Sequence, residues 1–152
     1  MSKERLNYSK IAPESMKGLL EIEKYVADSG LDRTLFELVK TRASQINGCA
    51  YCIDMHTKDA RSQGETEQRL YGLSAWREAP FYSESERAAL AWTEALTLIA
   101  ENEVSDSLYQ KVKEHFDDQT LMALTMAIVA INGWNRLAIA FRTEVGNYEP
   151  KK

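Results

Sequence analysis

The 152 residues are 44% hydrophobic and 28% charged, the balance of one globular domain with a buried core rather than of a disordered or fibrous chain. The 19 basic and 23 acidic residues leave a net charge of −4, and no Arg/Lys stripe with interleaved aromatics is present, which argues against nucleic acid as a partner. The opening run Met1-Ser2-Lys3-Glu4-Arg5-Leu6 carries charges with no apolar stretch behind it, so no secretory signal is read there and the cytoplasm is the expected compartment.

No segment alternates apolar and polar residues with period two, whereas apolar residues recur at three- and four-residue spacing nearly throughout. The expected fold is therefore all-α, a compact antiparallel packing of about six to seven helices in a single domain over 1–152. The first helix is expected from Pro13, whose fixed φ suits a first turn, to Gly30. Asp32 can cap a second over 33–46, which turns Leu35, Val39, Ala43 and Ile46 to one side and ends at the Asn47-Gly48 turn signal. A third follows at once and runs to Gln63, with Gly64 beyond it, and a shorter one from Thr66 ends before Pro80. Ser83-Glu84-Ser85-Glu86 has capping-box spacing and opens a helix through Ala100. Ser105 or Asp106 can cap another to Phe116, and Asp118 the last, over 119–142, with a frayed tail after Gly146. The apolar stretch 121–141 is long enough to raise a membrane span, but Asn132, Gly133, Asn135 and Arg136 interrupt its centre, where lipid would penalise them. It reads as a core helix, and no membrane partner is expected.

The third helix carries the chemistry. Its start reads Asn47-Gly48-Cys49-Ala50-Tyr51-Cys52-Ile53-Asp54-Met55-His56, and Cys49 and Cys52 are the only two cysteines. At about 100° per residue, Cys49, Cys52 and His56 fall on one helical face. Residues at i and i+3 are close enough to close a disulfide, and in the cytosol such a pair is seldom a structural staple, which leaves redox catalysis or metal binding. The helix start favours a Cys49 thiolate and the imidazole a Cys52 thiolate, and His56 can take and return a proton near neutral pH. Cys52 is taken as the nucleophile and Cys49 as the thiol that resolves it. The other histidine, His115, lies beside Glu114 and Asp117 and reads as solvated. Two thiolates with His56, and Glu37 as a fourth ligand, would be a zinc set; no metal or cofactor is assigned, because no second cysteine pair is present.

Glu37 stands twelve positions before Cys49, so the chain reads E-x11-C-x-x-C-x-x-x-H from Glu37 through Cys49 and Cys52 to His56. This pattern resembles the AhpD-like alkylhydroperoxidases of the carboxymuconolactone decarboxylase superfamily. The resemblance implies the AhpD-like fold, a Glu37–His56 proton relay serving the two thiols, a hydroperoxide substrate, a dithiol or protein reductant, and a homo-oligomer, trimeric or hexameric. Where the best-known members carry Ser-His between the cysteines, this chain has Ala50-Tyr51, one relay histidine fewer. Relatives that act as electron donors imply a second reading, a dithiol reductase or redox sensor. A third is non-redox, a zinc-stabilised scaffold or a lyase-like member using His56.

Helical geometry places Glu37 roughly opposite the apolar direction of its own helix, so it serves the site only if the cysteine helix or a neighbouring subunit covers that side. Trp76, Trp92 and Trp134 are expected as core or interface anchors whose indole N–H groups need partners. Asn132, Asn135 and Arg136 require partners too, and an oligomer interface is the expected source.

Overall fold

Short polar side chains and glycines divide the chain into helices. The computed structural model describes residues 3–150, and among them the helices are α1 (Tyr8–Ile11), α2 (Lys17–Asp28), α3 (Arg33–Asn47), α4 (Ala50–Ser62), α5 (Glu67–Gly72), α6 (Glu84–Thr97), α7 (Asp106–Lys113) and α8 (Asp118–Phe141), with no strand. Asp32 accepts from the Leu35 N–H at 2.8 Å to start α3. The capping box of α6 forms in both directions, Glu86 N–H to Ser83 Oγ at 3.2 Å and Ser83 N–H to Glu86 Oε2 at 2.8 Å. Between α3 and α4 the chain turns within two residues because Gly48 takes φ 70°, a left-handed conformation that costs a glycine little.

The expected elements are present with local differences. A one-turn helix, α1, precedes them, started by Asn7, whose Oδ1 accepts from the Lys10 N–H at 3.1 Å. Pro13 opens a 3-10 turn over Pro13–Met16 rather than the α-helix itself. The stretch after Thr66 gives only α5 and a 3-10 turn over Leu73–Ala75. Helix α6 stops at Thr97 rather than Ala100, since the N–H groups of Glu101 and Asn102 both turn back to the Leu98 carbonyl. Helix α7 stops at Lys113, before Phe116. The cap of α8 is Asp117, not Asp118, accepting from the Thr120 N–H at 2.7 Å.

Helix α3 is the centre of the fold, packed against α4, α6 and α8, while α2 lies on α8. Every residue from Leu35 to Thr41 is buried, so α3 has no solvated side over that length; Glu37 and Lys40 find partners inside the protein, whereas Thr41 Oγ1 has none among the described residues. Phe36, Val39, Trp92, Leu124 and Ile128 belong to the main core cluster, and Leu38, Leu73, Trp76 and Leu90 to a second one beside it. Gly133 lets α2 approach α8 closely: a Cβ there would stand 3.0 Å from Leu19 Cδ2. Helix α8 is the one described helix long and apolar enough to cross a membrane; its buried side, including Leu124, Ala127, Ile128 and Ile131, packs into the core.

Candidate active site

The α3–α4 hairpin assembles the site. Cys49 is the N-cap of α4, its sulfur accepting from the Cys52 N–H at 3.3 Å. Cys49 and Cys52 are joined as a disulfide with their Cα atoms 5.3 Å apart, and are 1% and 2% exposed. Both pack with Ala43, Ile131 and Ala138 from α3 and α8, so two neighbouring helices fix the start of α4.

One turn beyond Cys52, His56 meets Glu37 across the hairpin, with Nδ1 2.8 Å from Glu37 Oε2. Helix α4 supplies the cover that Glu37 needed, and the carboxylate is 1% exposed. An ionised carboxylate only accepts hydrogen bonds, so Nδ1 is the nitrogen that carries the proton and Nε2 is left for chemistry. The second oxygen, Oε1, lies 3.4 Å from Arg33 Nη2, and the Phe36 ring stands edge-on to the imidazole.

Cys52, His56 and Glu37 line one cavity of roughly 530 Å³, with Lys40, Trp134 and Tyr148 in its wall. Lys40 is 1% exposed, and its ammonium pairs with Glu23 and lies 4.4 Å from the centre of the Phe36 ring. Burial pushes its pKa down from the ordinary lysine value, against the pull of the Glu23 carboxylate. Glu23 also accepts from Trp134 Nε1 at 3.0 Å, so one carboxylate ties α2, α3 and α8 together behind the cavity. Glu23→Ala strands a buried ammonium and is expected to cost about 3 kcal/mol in urea unfolding. Glu23→Gln, which still accepts from the indole, costs less.

The far wall is built by the C-terminal segment, which is held rather than frayed. Lys58 Nζ donates to the carbonyls of Gly146 at 3.3 Å and Tyr148 at 3.0 Å. The Tyr148 hydroxyl donates to Asp59, 2.7 and 2.9 Å from its two carboxylate oxygens. Burial and the Asp59 carboxylate push the phenol's pKa well above the ordinary tyrosine range, so it stays protonated at neutral pH. Tyr148→Phe is expected to cost about 1–2 kcal/mol in urea unfolding at pH 7. The folded pKa is raised, so this contribution is complete below the unfolded value of about 10 and is lost as pH rises through the folded value. The gap between the two proteins therefore narrows on titration upward from pH 10.

Of the zinc set of two thiolates, His56 and Glu37, both sulfurs are in the disulfide in this structure. The ligand atoms that do converge, within 4.8 Å of one another, belong to Glu37, His56 and Asp59, and these are already answered by one another and by Tyr148.

Asn132 and Asn135 find their partners within the chain, not at an interface. Asn135 Nδ2 donates to Ser44 Oγ at 3.0 Å and its Oδ1 accepts from Asn47 at 2.8 Å, while Asn132 donates to Thr97 Oγ1 at 3.1 Å. Arg136 returns to the Asn132 carbonyl at 2.8 Å. Trp76 and Trp92 are core residues whose indoles donate to Glu94 and Thr125, whereas Trp134 belongs to the cavity. His115 is exposed.

Sequence reasoning missed Lys40, Asp59 and Tyr148. Asp59 carried a signal, three residues after His56 on the same helical face, and Lys40 stands likewise three after Glu37. Tyr148 carried none, because only the path of the tail brings it to α4.

An all-helical fold with a cysteine pair opening α4 and a buried Glu–His pair behind it defines an AhpD-like protein. The sequence model of the carboxymuconolactone decarboxylase family matches residues 13–95, and the chain belongs to that family. It is 53% identical over 137 residues to the uncharacterised protein YdfG of Bacillus subtilis, covering 90% of this chain and 93% of that one. A crystal structure from Agrobacterium tumefaciens superposes with a TM-score of 0.91 at 45% identity, covering 96% of this chain and all of the other. That protein is described as of unknown function and as a putative antioxidant defence protein AhpD. A shorter likeness, 35% over 46 residues, reaches the alkyl hydroperoxide reductase AhpD of Corynebacterium aurimucosum, covering 30% of this chain and 26% of that one.

Proposed function

We propose that this protein is a thiol-dependent hydroperoxide reductase. The observation that carries the reading is that Cys52, half of a Cys49–Cys52 disulfide, shares a cavity with a histidine whose Nδ1 is bound to a buried carboxylate. His56 takes the Cys52 thiol proton on Nε2. The thiolate attacks the terminal oxygen of the hydroperoxide, the O–O bond breaks, and the departing alkoxide takes the proton back from His56. Cys52 is then a sulfenic acid. The Cys49 thiol displaces water from it to form the disulfide, and a dithiol donor restores both thiols as it is itself oxidised.

The likeness to AhpD supports a peroxidase over a disulfide reductase or sensor, as does a cavity lined together by Cys52, His56 and Glu37. We place the protein in the cytoplasm, where reducing thiols are available. We also propose a homo-oligomer, for which the exposed Met122 and Val129 of α8 offer apolar surface; light scattering gives its mass. The reading is tested by stopped-flow mixing of the reduced protein with hydrogen peroxide and cumene hydroperoxide. Thiol loss well above that of free cysteine, ending in the disulfide, is expected; loss at the free-cysteine rate sinks the proposal.

A further inference from the structure

Tyr51 stands directly before Cys52 in α4, and the chemistry above gives it no part. It lines the cavity that Cys52, His56 and Glu37 also line. Half-buried, it packs against the cluster of Ala43, Ile131 and Ala138 that contains both sulfurs. The other aromatic polar groups of that cavity each have a partner. The Tyr148 hydroxyl donates to Asp59, the Trp134 indole donates to Glu23, and the Tyr8 hydroxyl accepts from Thr143 Oγ1 at 3.4 Å. Among the described residues the Tyr51 hydroxyl has none, and it is not sealed from solvent.

The surroundings of this phenol connect it to the reacting pair. Burial, with the Tyr8 phenol and the Asp54 and Asp59 carboxylates, pushes its pKa above the ordinary tyrosine value, so at neutral pH it keeps its proton and can donate. Asp59 in turn comes within 4.8 Å of the nearest polar atoms of His56 and Glu37. The Tyr148 phenol bound to Asp59 feels the charges of both Glu37 and Tyr51.

We infer that the Tyr51 hydroxyl is a catalytic hydrogen-bond donor to the departing oxygen of the hydroperoxide. This rests on the hydroperoxide reductase reading above and adds a residue to its oxidative half. As the Cys52 thiolate bonds to the terminal oxygen, the electron pair of the O–O bond passes to the other oxygen, which leaves as an alkoxide and takes its proton from His56. Negative charge builds on that oxygen before the proton arrives, and an O–H donated to it lowers the barrier. Tyr51 keeps its own proton throughout. A donor already held by a protein acceptor would first have to give up that bond, whereas Tyr51 has none to lose.

The test follows thiol loss in reduced wild-type and Tyr51→Phe protein mixed with two oxidants in a stopped-flow instrument. tert-Butyl hydroperoxide expels an alkoxide, a strong base whose charge needs a donor. Peracetic acid expels acetate, whose charge is already spread over two oxygens. Tyr51→Phe is expected to slow the first reaction by about a hundredfold and to leave the second within about twofold of wild type. The ring and its packing are kept, and both rates are read on one preparation, so a change in fold or in thiolate population moves the two alike. Equal slowing of both, or no slowing of either, overturns the role of Tyr51. In that event wild-type consumption of tert-butyl hydroperoxide well above the free-cysteine rate leaves the reductase reading standing, whereas wild-type loss at the free-cysteine rate removes both.

Discussion

Cys52→Ser is expected to lower hydroperoxide consumption by at least about a thousandfold, to the level of protein without an accessible thiol. The serine hydroxyl keeps the size of the group and the start of α4, but it is not ionised at neutral pH and its oxygen does not take up oxygen from a peroxide. Cys49→Ser should behave differently. Cys52 still faces the cavity of the Glu37–His56 pair, so one equivalent of hydroperoxide is consumed at close to the wild-type rate, and turnover then stops at a sulfenic acid with no resolving thiol. Single-turnover and steady-state measurements on the two variants separate the roles. A Cys52→Ser protein that retained the burst would transfer the nucleophile to Cys49, the sulfur with the N-cap hydrogen bond.

Glu37→Gln is expected to slow oxidation of Cys52 by about 10²–10⁴-fold while the protein stays folded. The side chain keeps its shape, and the loss lies in the imidazole. The carboxylate 2.8 Å from Nδ1 holds the proton on that nitrogen and lies beside the positive charge that forms when Nε2 takes a proton. An amide facing the ring with its NH₂ requires Nδ1 to accept, which sends the proton to Nε2 and removes the base. With its carbonyl facing the ring, the amide keeps the tautomer but offers no charge. Rapid mixing over a range of pH reads the difference: the wild-type rate is expected to depend on His56 accepting a proton, and the variant's to follow thiol ionisation alone. A wild-type rate and profile in Glu37→Gln would remove Glu37 from the relay. Since Glu37 is buried on a helix surrounded by others, a modest stability loss is expected as well, and unfolding curves keep it apart from the kinetic effect.

The helices and the cysteine motif were legible because both are local. Asp32 and the Ser83–Glu86 box act within one turn, and the Cys49, Cys52 and His56 face follows from helical pitch. Glu37 was legible as a motif member but not from its own helix, whose apolar direction points away from it; its burial comes from α4 packing across α3. The same packing explains Lys40, a residue type rarely found inside, held there by Glu23 from α2. Asn132 and Asn135 were recognisable as polar groups in an apolar helix, but their partners, Ser44, Asn47 and Thr97, come from α3 and α6, and no spacing along α8 identifies them. Tyr148 depends on the Lys58 clamp that turns the tail back.

The bond from the Cys52 N–H to the Cys49 sulfur makes a reacting atom the cap of its own helix. A disulfide sulfur is a weak, neutral acceptor, whereas a thiolate in that place is an anion at the positive end of the helix dipole, an arrangement worth about 0.3–1 kcal/mol. Reduction of the disulfide is therefore expected to tighten the first turn of α4, and reoxidation to loosen it. Slowed hydrogen exchange at the Cys52 amide becomes a native-state gauge of the thiolate form, readable without any added label.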